Sequence, residues 1–266
     1  MKISDSVKLI PERGFHQYEI DADQVDLKLE FREECELLIR IRNASHINVE
    51  TVVESGVHAS VLFWNDSMHP VSADEFYEVK ENGDLTLSYG ECNDAETDRK
   101  TIVLLSGRES STSLNSASLV KDRKEYRMTV ENRGIRTLAD IRNYAVVLKE
   151  GKLMIDAVGK IDKGAKKARS HQTSRALAFE EGQKATILPE LLIDENDVQA
   201  SHAMSIGRVD ENHLYYMMSR GLDLKQCTML ISQGYLLPVT DHIGDEKLRE
   251  TLKEELERKI QESCLM

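Results

Sequence analysis

His202 is the residue of this 266-residue sequence whose type and setting most suggest chemistry. It stands in VQASHAMSIGRV, among small residues and directly before a segment with the pattern of an amphipathic helix. An imidazole in such a place can pack in a core, bind a metal ion or act as a catalytic base. The residue types alone leave these three roles open, although a structural role is the commonest one for an isolated histidine.

The motifs of common enzymes are missing from the sequence. There is no GxSxG, no HExxH, no dinucleotide fingerprint and no cysteine and histidine cluster at zinc spacing. GKIDKGAK imitates a phosphate-binding loop, but Ala165 and Lys166 stand where that loop needs Lys and then Ser or Thr. We therefore exclude nucleotide hydrolysis by this chain. The acidic residues of AFEEG and IDENDV are predicted to lie in exposed turns.

Charge and cysteine content limit the classes of partner. The chain has 35 Lys and Arg against 47 Asp and Glu, a formal net charge of -12, so as a whole it repels nucleic acid and anionic membranes. Its four cysteines are widely separated, and no secretory leader is recognisable. No apolar run approaches the roughly 20 residues that span a bilayer. We expect a cytoplasmic protein that binds neither nucleic acid nor membrane.

Short apolar runs with a period of two predict an all-β body from about residue 17 to about residue 200. In VDLKLEF, for example, Val25, Leu27 and Leu29 fall on one face, and YRMTV and LTLSY alternate likewise. Polar segments such as KENGD and ENRG separate the runs and are typical of turns. A sandwich, a barrel and a β-helix are all compatible with this pattern.

The last part of the chain changes to a helical pattern. Helices are predicted over residues 210 to 221, 223 to 234 and 245 to 262, with aspartate at the start of each and glycine at the end of the first two. On the third, leucine and isoleucine recur every four residues as an apolar stripe. We therefore predict a β domain over residues 1–208 and a helical domain over residues 209–266.

From residue 155 to residue 240 the sequence resembles the core of the SufB/SufD family of iron–sulfur cluster assembly proteins. The resemblance rests on an ordered series: the proline and strand of ATILPELLI, the acidic turn IDENDV, Ser-His, IGRVD, LYY, SRG and a closing GY. It implies a mainly β fold, a right-handed parallel β-helix followed by a small C-terminal helical domain. Residues 1 to about 150 match the family only in general character.

The resemblance also implies a role and partners. Family members act beside SufC, an ABC-type ATPase that docks on the C-terminal helical region, and they pair through their β-helices. We therefore expect a non-catalytic subunit of the SUF complex whose partner is a SufB-like subunit or a second copy of this chain. The candidate contacts for the ATPase lie on the predicted helices: Leu214, Tyr215, Met218, Arg220, Leu230, Leu248, Leu252 and Leu256.

His202 falls on the family's histidine at the interface between β-helix partners, where the nascent cluster is thought to form. It is therefore a candidate ligand of iron or of a transient cluster, with no cofactor held firmly. SufB-type scaffolds carry an upstream cysteine, near Thr173 and Ser174 here, and a glutamate after the histidine, where Ala203 stands. Because thiolate is the ordinary cluster ligand, the resemblance is closer to SufD, and we expect a compact form without the N-terminal helical domain.

Two other functions stay open at this point. A carbohydrate-active β-helix enzyme would place surface carboxylates in a groove lined by aromatic side chains, and the sequence has one tryptophan, Trp64. A diverged interaction protein without cluster chemistry would also be consistent with the missing cysteine and with Ala203. The family resemblance favours the assembly subunit, and a single tryptophan gives the enzyme little support.

Overall fold

The computed structural model describes residues 1–148, 150–179 and 183–265. Within these residues the chain forms 17 β-strands, followed by three α-helices and a 3-10 helix. Glu180 and Glu181, two of the acidic residues predicted to lie in turns, fall outside the described residues. In the same described ranges, no helix combines the length and the apolar character that crossing a membrane requires.

The strands alternate between two sheets, which we call the odd sheet and the even sheet. The odd sheet has nine strands in the order β1-β3-β5-β7-β9-β11-β13-β15-β17, and the even sheet has eight in the order β16-β14-β12-β10-β8-β6-β4-β2. Neighbouring strands are parallel throughout, so each coil of the chain adds one strand to each sheet. This is a parallel β-helix, which confirms the predicted fold class and excludes the sandwich and the barrel.

The strands of the odd sheet are β1 (Lys2–Ile3), β3 (Gly14–Asp21), β5 (Cys35–Asn43), β7 (His58–Asn65), β9 (Asp84–Glu91), β11 (Ser111–Val120), β13 (Leu138–Val147), β15 (Arg169–Ala178) and β17 (Gln199–Arg208). The strands of the even sheet are β2 (Val7–Leu9), β4 (Gln24–Phe31), β6 (His46–Val53), β8 (Val71–Val79), β10 (Thr97–Leu105), β12 (Arg123–Asn132), β14 (Lys152–Ile161) and β16 (Lys184–Ile193). The last strand continues past residue 200, where the sequence pattern places the end of the β body.

Alternation along each strand puts apolar side chains inside the β-helix. In β4, Val25, Leu27 and Leu29 are buried while the residues between them are exposed, as the period of two predicts. Apart from a shift near the end of the β3–β5 pair, the strands pair in register, so that Thr97 lies beside Lys124, 27 residues further along the chain. Equivalent positions of successive coils therefore stack in columns that run along the β-helix.

One part of the interior is charged instead of apolar. Arg99 has no exposed surface; it donates to Glu91 Oε1 at 2.7 and 3.1 Å and also to Glu75. Tyr89 and Thr101 donate to the other oxygen of Glu75. Burial raises the pKa of Glu75, whereas Arg99 offsets the burial of Glu91 and lowers its pKa. The sequence pattern did not predict this cluster.

The helices are α1 (Glu211–Ser219), α2 (Leu224–Leu236) and α3 (Glu246–Leu265), with the 3-10 helix (Leu237–His242) between the last two. Asp210 caps α1 by accepting the amide of Asn212, and Gly221 follows its end with φ of +94°. Both ends agree with the predicted helix. Asp223 forms a capping box with Gln226 at the start of α2.

The predicted end of the second helix at Gly234 is wrong. Gly234 keeps a helical conformation, and α2 runs on to Leu236 before the chain tightens into the 3-10 helix at Pro238. Leu236 is fully buried, so its packing favours continuing the helix past Gly234. Gly234 does not adopt the left-handed backbone conformation with which a glycine commonly ends a helix. Tertiary contacts thus override a local stop signal.

α2 and α3 lie on the outer face of the odd sheet. Leu252, Leu256 and Ile260 of α3 join one apolar cluster with side chains that point outward from the strands, among them the fully buried Trp64. Arg40 in β5 then binds both carboxylate oxygens of Glu255, each at 2.9 Å. β17 ends and α1 begins close to the predicted boundary at residue 208, but the division into two domains stays a prediction.

Candidate functional site

The last coil leaves the end of the β-helix uncovered. β16 and β17 each hydrogen-bond to one neighbouring strand and are the final members of their sheets within the described residues. All ten residues of β17 are exposed. The β16 edge carries Pro189 and Glu190, which discourage strand pairing, whereas the middle of β17 carries no proline and no charged residue. The free edge of β17 is therefore the one suited to pair with another strand.

Apolar side chains reach solvent at this end. Met204 and Ile206 stand in register with the buried residues Ser174 and Ala176 of β15, so they continue the interior columns. Met204 is 50% exposed and Ile206 is 43% exposed because no further coil covers them. Ile193 of β16 is 37% exposed on the other side of the same end. An interior surface of this kind normally lies against a partner.

His202 lies in the middle of β17 and is exposed. Its register partner in β15 is Gln172, a buried residue, so His202 occupies the inward column that the uncovered end opens to solvent. Met204 occupies the next inward position along β17, in register with Ser174. His202 was predicted from its sequence context, whereas Met204 and Ile206 were not, although the period of two in ASHAMSIG indicates a strand here.

Within the described ranges, a single copy of the chain assembles no metal site around His202. Among the described residues there is no group of three or more His, Cys, Asp and Glu side chains placed to hold a metal ion. Thr173 and Ser174, near the place of the scaffold cysteine, lie in β15; Ser174 is buried and accepts a hydrogen bond from Asn143. A metal ion at His202 would thus need further ligands from a second chain or from bound sulfide.

The cysteines with described side chains are unsuited to ligate a cluster. Cys35, Cys92 and Cys227 are all buried and free. Burial raises the pKa of Cys35 to about 12 and that of Cys92 to about 11, so both are protonated thiols at neutral pH. Cys227 is a buried residue of α2. The side chain of Cys264 lies outside what the structure describes.

The predicted ATPase contacts fall into two groups. Tyr215 is 77% exposed on α1, where no residue is buried, and Met218 on the same helix and Leu230 on α2 are also exposed. Leu214 is half-buried, and Arg220 is exposed with its guanidinium 5.1 Å from the ring of Tyr216. We call the exposed part of α1 and α2 the α1–α2 surface; it comprises Leu214, Tyr215, Met218, Arg220 and Leu230.

The other three predicted contacts face inward. Leu252 and Leu256 have no exposed surface, and Leu248 is partly buried in the same cluster. Their regular spacing arises because α3 packs on the odd sheet. In this structure Leu252 and Leu256 hold α3 against the odd sheet, and Leu248 keeps part of its side chain exposed.

Two residues that bear on the carbohydrate-active alternative, Trp64 and Glu195, have structural roles. Trp64 is completely buried beneath the helices, so it cannot line a sugar-binding groove. Glu195 accepts the backbone amide of Gly164 at 3.0 Å and those of Asn196 and Asp197, and these hydrogen bonds lower its pKa. Glu195 therefore stabilises a turn, as predicted for the acidic residues of IDENDV.

Fold and site together define a class: a parallel β-helix whose prominent feature is an apolar, uncovered end with a histidine, flanked by a helical surface. Residues 17–235 match the family model described as SUF system FeS cluster assembly, SufBD core domain. The chain belongs to this family, as the sequence resemblance predicted.

Relatives in the comparison place the chain closer to SufD. It is 39% identical over 120 residues to the iron–sulfur cluster assembly protein SufD of Bacillus subtilis, covering 45% of this chain and 28% of that protein. A SufBD family protein of Pyrococcus horikoshii is 34% identical over 95 residues, which are 36% of this chain and 21% of the relative. SufD of Escherichia coli is 24% identical over 105 residues, or 40% and 25% of the two chains. The matches thus span about a quarter of these relatives.

Proposed function

We propose that this chain is a non-catalytic, cytoplasmic subunit of the SUF iron–sulfur cluster assembly system. It pairs through the uncovered end of its β-helix with a SufB-like subunit or with a second copy of itself. It docks a SufC-type ABC ATPase through the α1–α2 surface. The observation that carries the proposal is the exposed strand β17, where interior apolar positions and His202 reach solvent together.

Pairing follows from the physical state of the last coil. β17 offers a row of backbone donors and acceptors along its free edge, and Met204 and Ile206 lose solvent contact when another strand covers them. A two-fold axis between identical copies would reverse the direction of the strand, so two β17 strands would meet antiparallel. A SufB-like partner would use the same edge. The family membership supports either partner.

Iron, in this proposal, is cargo of the pairing interface. His202 is exposed in the single chain and would be enclosed when β17 is covered. A neutral imidazole is a suitable iron ligand, and the remaining ligands would come from the partner or from bound sulfide. The buried, protonated state of Cys35 and Cys92 supports a site in which this chain contributes nitrogen and the partner contributes thiolate.

The α1–α2 surface has the composition of a docking patch. Tyr215 and Met218 of α1 and Leu230 of α2 expose large apolar side chains, and Arg220 adds an exposed charge at the end of α1. Aromatic, methionine and arginine side chains are enriched in protein interfaces. Since no residue of α1 is buried, burial against a partner would account for its apolar side chains.

Substitution in β17 tests pairing. In Met204→Asp a charge would enter the interface, so we expect loss of the dimer or of the complex with a SufB-like subunit, measured by light scattering after size exclusion. Met68→Asp is the matched control, since Met68 is 82% exposed in a turn away from the uncovered end. Equal association of both variants would contradict pairing through β17.

Substitution in α1 tests the ATPase contact. Tyr215→Ala should weaken anaerobic co-purification with the SufC-type ATPase of the same genome by a factor of about 30 or more, about 2 kcal/mol for a hot-spot tyrosine. Ile135→Ala serves as the control because Ile135 is 46% exposed on the β-helix. Unchanged binding of Tyr215→Ala would refute this docking surface. Point substitution is preferable to truncation after Leu237, which would strip α3 from the core.

His202→Ala tests the ligand role. Chains reconstituted anaerobically with the SufB-like partner should lose bound iron when His202 is replaced and keep it in His69→Ala, where an exposed turn histidine is removed. Bound iron is measured by metal analysis and Mössbauer spectroscopy. Iron content unchanged in His202→Ala removes the ligand role and leaves the assembly role standing.

A further inference from the structure

A cavity of about 250 Å³ lies between the outer face of the odd sheet and the helices. Its walls include Arg142 and Tyr144 of β13, Tyr235 of α2 and His242 of the 3-10 helix, and we call it the Arg142 cavity. None of these four residues belongs to β17 or to the α1–α2 surface. The cavity is smaller than the roughly 300–1,000 Å³ of pockets that hold drug-sized ligands, so its occupant would be small.

The polar side chains of the cavity favour an anion. The described residues that line it include no aspartate and no glutamate. Arg142 donates to Asp140 through Nη2, at 2.5 Å, and its other N–H groups have no hydrogen-bond partner in the described part of the chain. Within the same residues, the hydroxyl groups of Tyr144 and Tyr235 and the ring nitrogens of His242 form no hydrogen bond either. The lining therefore offers one guanidinium and three further groups that can donate to a ligand.

Aromatic and apolar side chains form much of the remaining lining. The rings of Tyr144 and Tyr235 meet edge to face, with centroids 6.2 Å apart and planes at 84°. Ala117, Pro238 and Val239 also line the cavity. An organic ligand would cover these walls with its apolar part, whereas a bare inorganic anion would leave them uncovered.

His242 is close enough to Arg142 for the guanidinium to influence its protonation. Burial of the imidazole is the main reason that the pKa of His242 lies below its ordinary value, while Asp241 opposes the shift and Arg142 adds to it. Asp241 is 61% exposed and lies 3.9 Å from Lys253 of α3. An anion between Arg142 and His242 would favour the protonated imidazole, so binding of the anion and uptake of a proton would be linked.

Gly234 leaves the rim of the cavity open. It is an exposed residue of the cavity lining within α2, where glycine is a poor helix former. A Cβ on Gly234 would meet no atom within 4 Å, and its backbone is not left-handed. Neither packing nor backbone conformation therefore requires a glycine here. A larger side chain at this position would take up the open space at the rim.

We propose that the Arg142 cavity binds a small organic carboxylate with an aromatic or apolar body. The carboxylate lies between Arg142 and His242 and accepts charge-assisted hydrogen bonds from the guanidinium, whose fork matches a planar carboxylate. The body of the ligand lies against the rings of Tyr144 and Tyr235. This site is separate from the proposed pairing and ATPase surfaces, so its failure would leave the assembly role standing.

Isothermal titration calorimetry of the full chain with sodium benzoate tests the site. Benzoate should bind saturably, whereas benzylamine, which has the ring but a positive charge, and inorganic phosphate, which has no ring, should not. Arg142→Met should weaken benzoate binding about 10- to 100-fold through loss of a hydrogen bond to a charged group. Arg136→Met is the matched control, because Arg136 bonds to Glu109 in an exposed turn outside the cavity lining, and it should bind benzoate like the wild type.

The pH dependence of binding is a second readout. Benzoate affinity should rise between about pH 8 and about pH 5.5, by about tenfold for each unit by which the bound anion raises the pKa of His242. His242→Gln should remove this dependence. Gly234→Leu should weaken binding by obstructing the rim without removing any charge.

Failure of benzoate to bind the folded wild type, or equal binding of benzoate and benzylamine, would overturn the proposal. Benzoate binding that persists unchanged in both Arg142→Met and Gly234→Leu would also overturn it, because the ligand would then lie elsewhere. Arg142 has 52% of its side chain exposed, so Arg142→Met should fold, and circular dichroism checks this for each variant.

Discussion

Replacing Arg99 tests whether the charged cluster inside the β-helix is neutralised as the structure indicates. Arg99, Glu75 and Glu91 have no exposed side-chain surface. In Arg99→Met the two carboxylates would be left in the interior without the cation that neutralises them. The remaining donors, such as Tyr89 on Glu75, supply hydrogen bonds but no charge.

The size of the effect follows from the environment of the guanidinium. Removing one partner of a buried ion pair costs about 3–5 kcal/mol. Arg99 also stacks 4.1 Å from the centroid of the Tyr89 ring, a cation–π contact worth about 1–2 kcal/mol when desolvated. We therefore expect a loss of about 5 kcal/mol, equivalent to a fall of about 10–20 °C in Tm for a chain of this size.

Thermal unfolding followed by circular dichroism measures this loss. The matched control is Arg142→Met, because Arg142 bonds to Asp140 with 52% of its side chain exposed and should change the free energy of unfolding by less than about 0.5 kcal/mol. A shift of under about 2 °C in Arg99→Met would refute the buried ionic cluster. Replacing both glutamates as well, in Glu75→Leu/Glu91→Leu/Arg99→Met, should recover much of the loss, since an apolar cluster leaves no charge buried.

Three further substitutions test other parts of the structure by chemical denaturation. Burial lowers the pKa of Lys124 to about 8, so between about pH 8 and pH 10 the unfolded chain binds more protons than the folded one. Folding stability should then rise with pH in the wild type, by about 2 kcal/mol relative to Lys124→Met; parallel pH profiles would contradict a buried amine. Glu255→Gln should cost about 1–3 kcal/mol by weakening the bidentate bond to Arg40, with the exposed Glu254→Gln as a neutral control. Gly90→Ala would bring a Cβ within 2.5 Å of a buried indole ring and should cost about 1–3 kcal/mol, so an unchanged midpoint would refute the close packing.

The local sequence pattern predicted the strands but could not choose how they pair. Val25, Leu27 and Leu29 alternate in the same way in a sandwich, a barrel or a β-helix, because one face is buried in each. The choice depends on contacts between residues such as Thr97 and Lys124, which lie 27 positions apart and differ in type. Only the resemblance to a family carried that long-range information.

The candidate functional residues also divide into those that the sequence could predict and those that it could not. His202 could be chosen from the sequence because a family motif surrounds it, and α1 could be bounded from Asp210 and Gly221. The burial of Leu252 and Leu256 could not be predicted from the sequence. An apolar stripe on a helix has the same pattern whether it packs on the protein's own core or on a partner. The hydrogen bond from Gln172 Nε2 to the backbone carbonyl of Glu190 in the other sheet could not be predicted either, because no local pattern encodes a contact between distant strands.

The central claim is that the uncovered end of the β-helix is an assembly surface in the SUF system. Light scattering after anaerobic size exclusion of the full chain, alone and mixed with the SufB-like subunit and the SufC-type ATPase of its genome, tests it most directly. We predict a defined complex that contains the ATPase and separates into smaller species when Met204→Asp replaces the wild type. A chain that stays monomeric in every mixture, with each partner shown to be folded, would contradict the account.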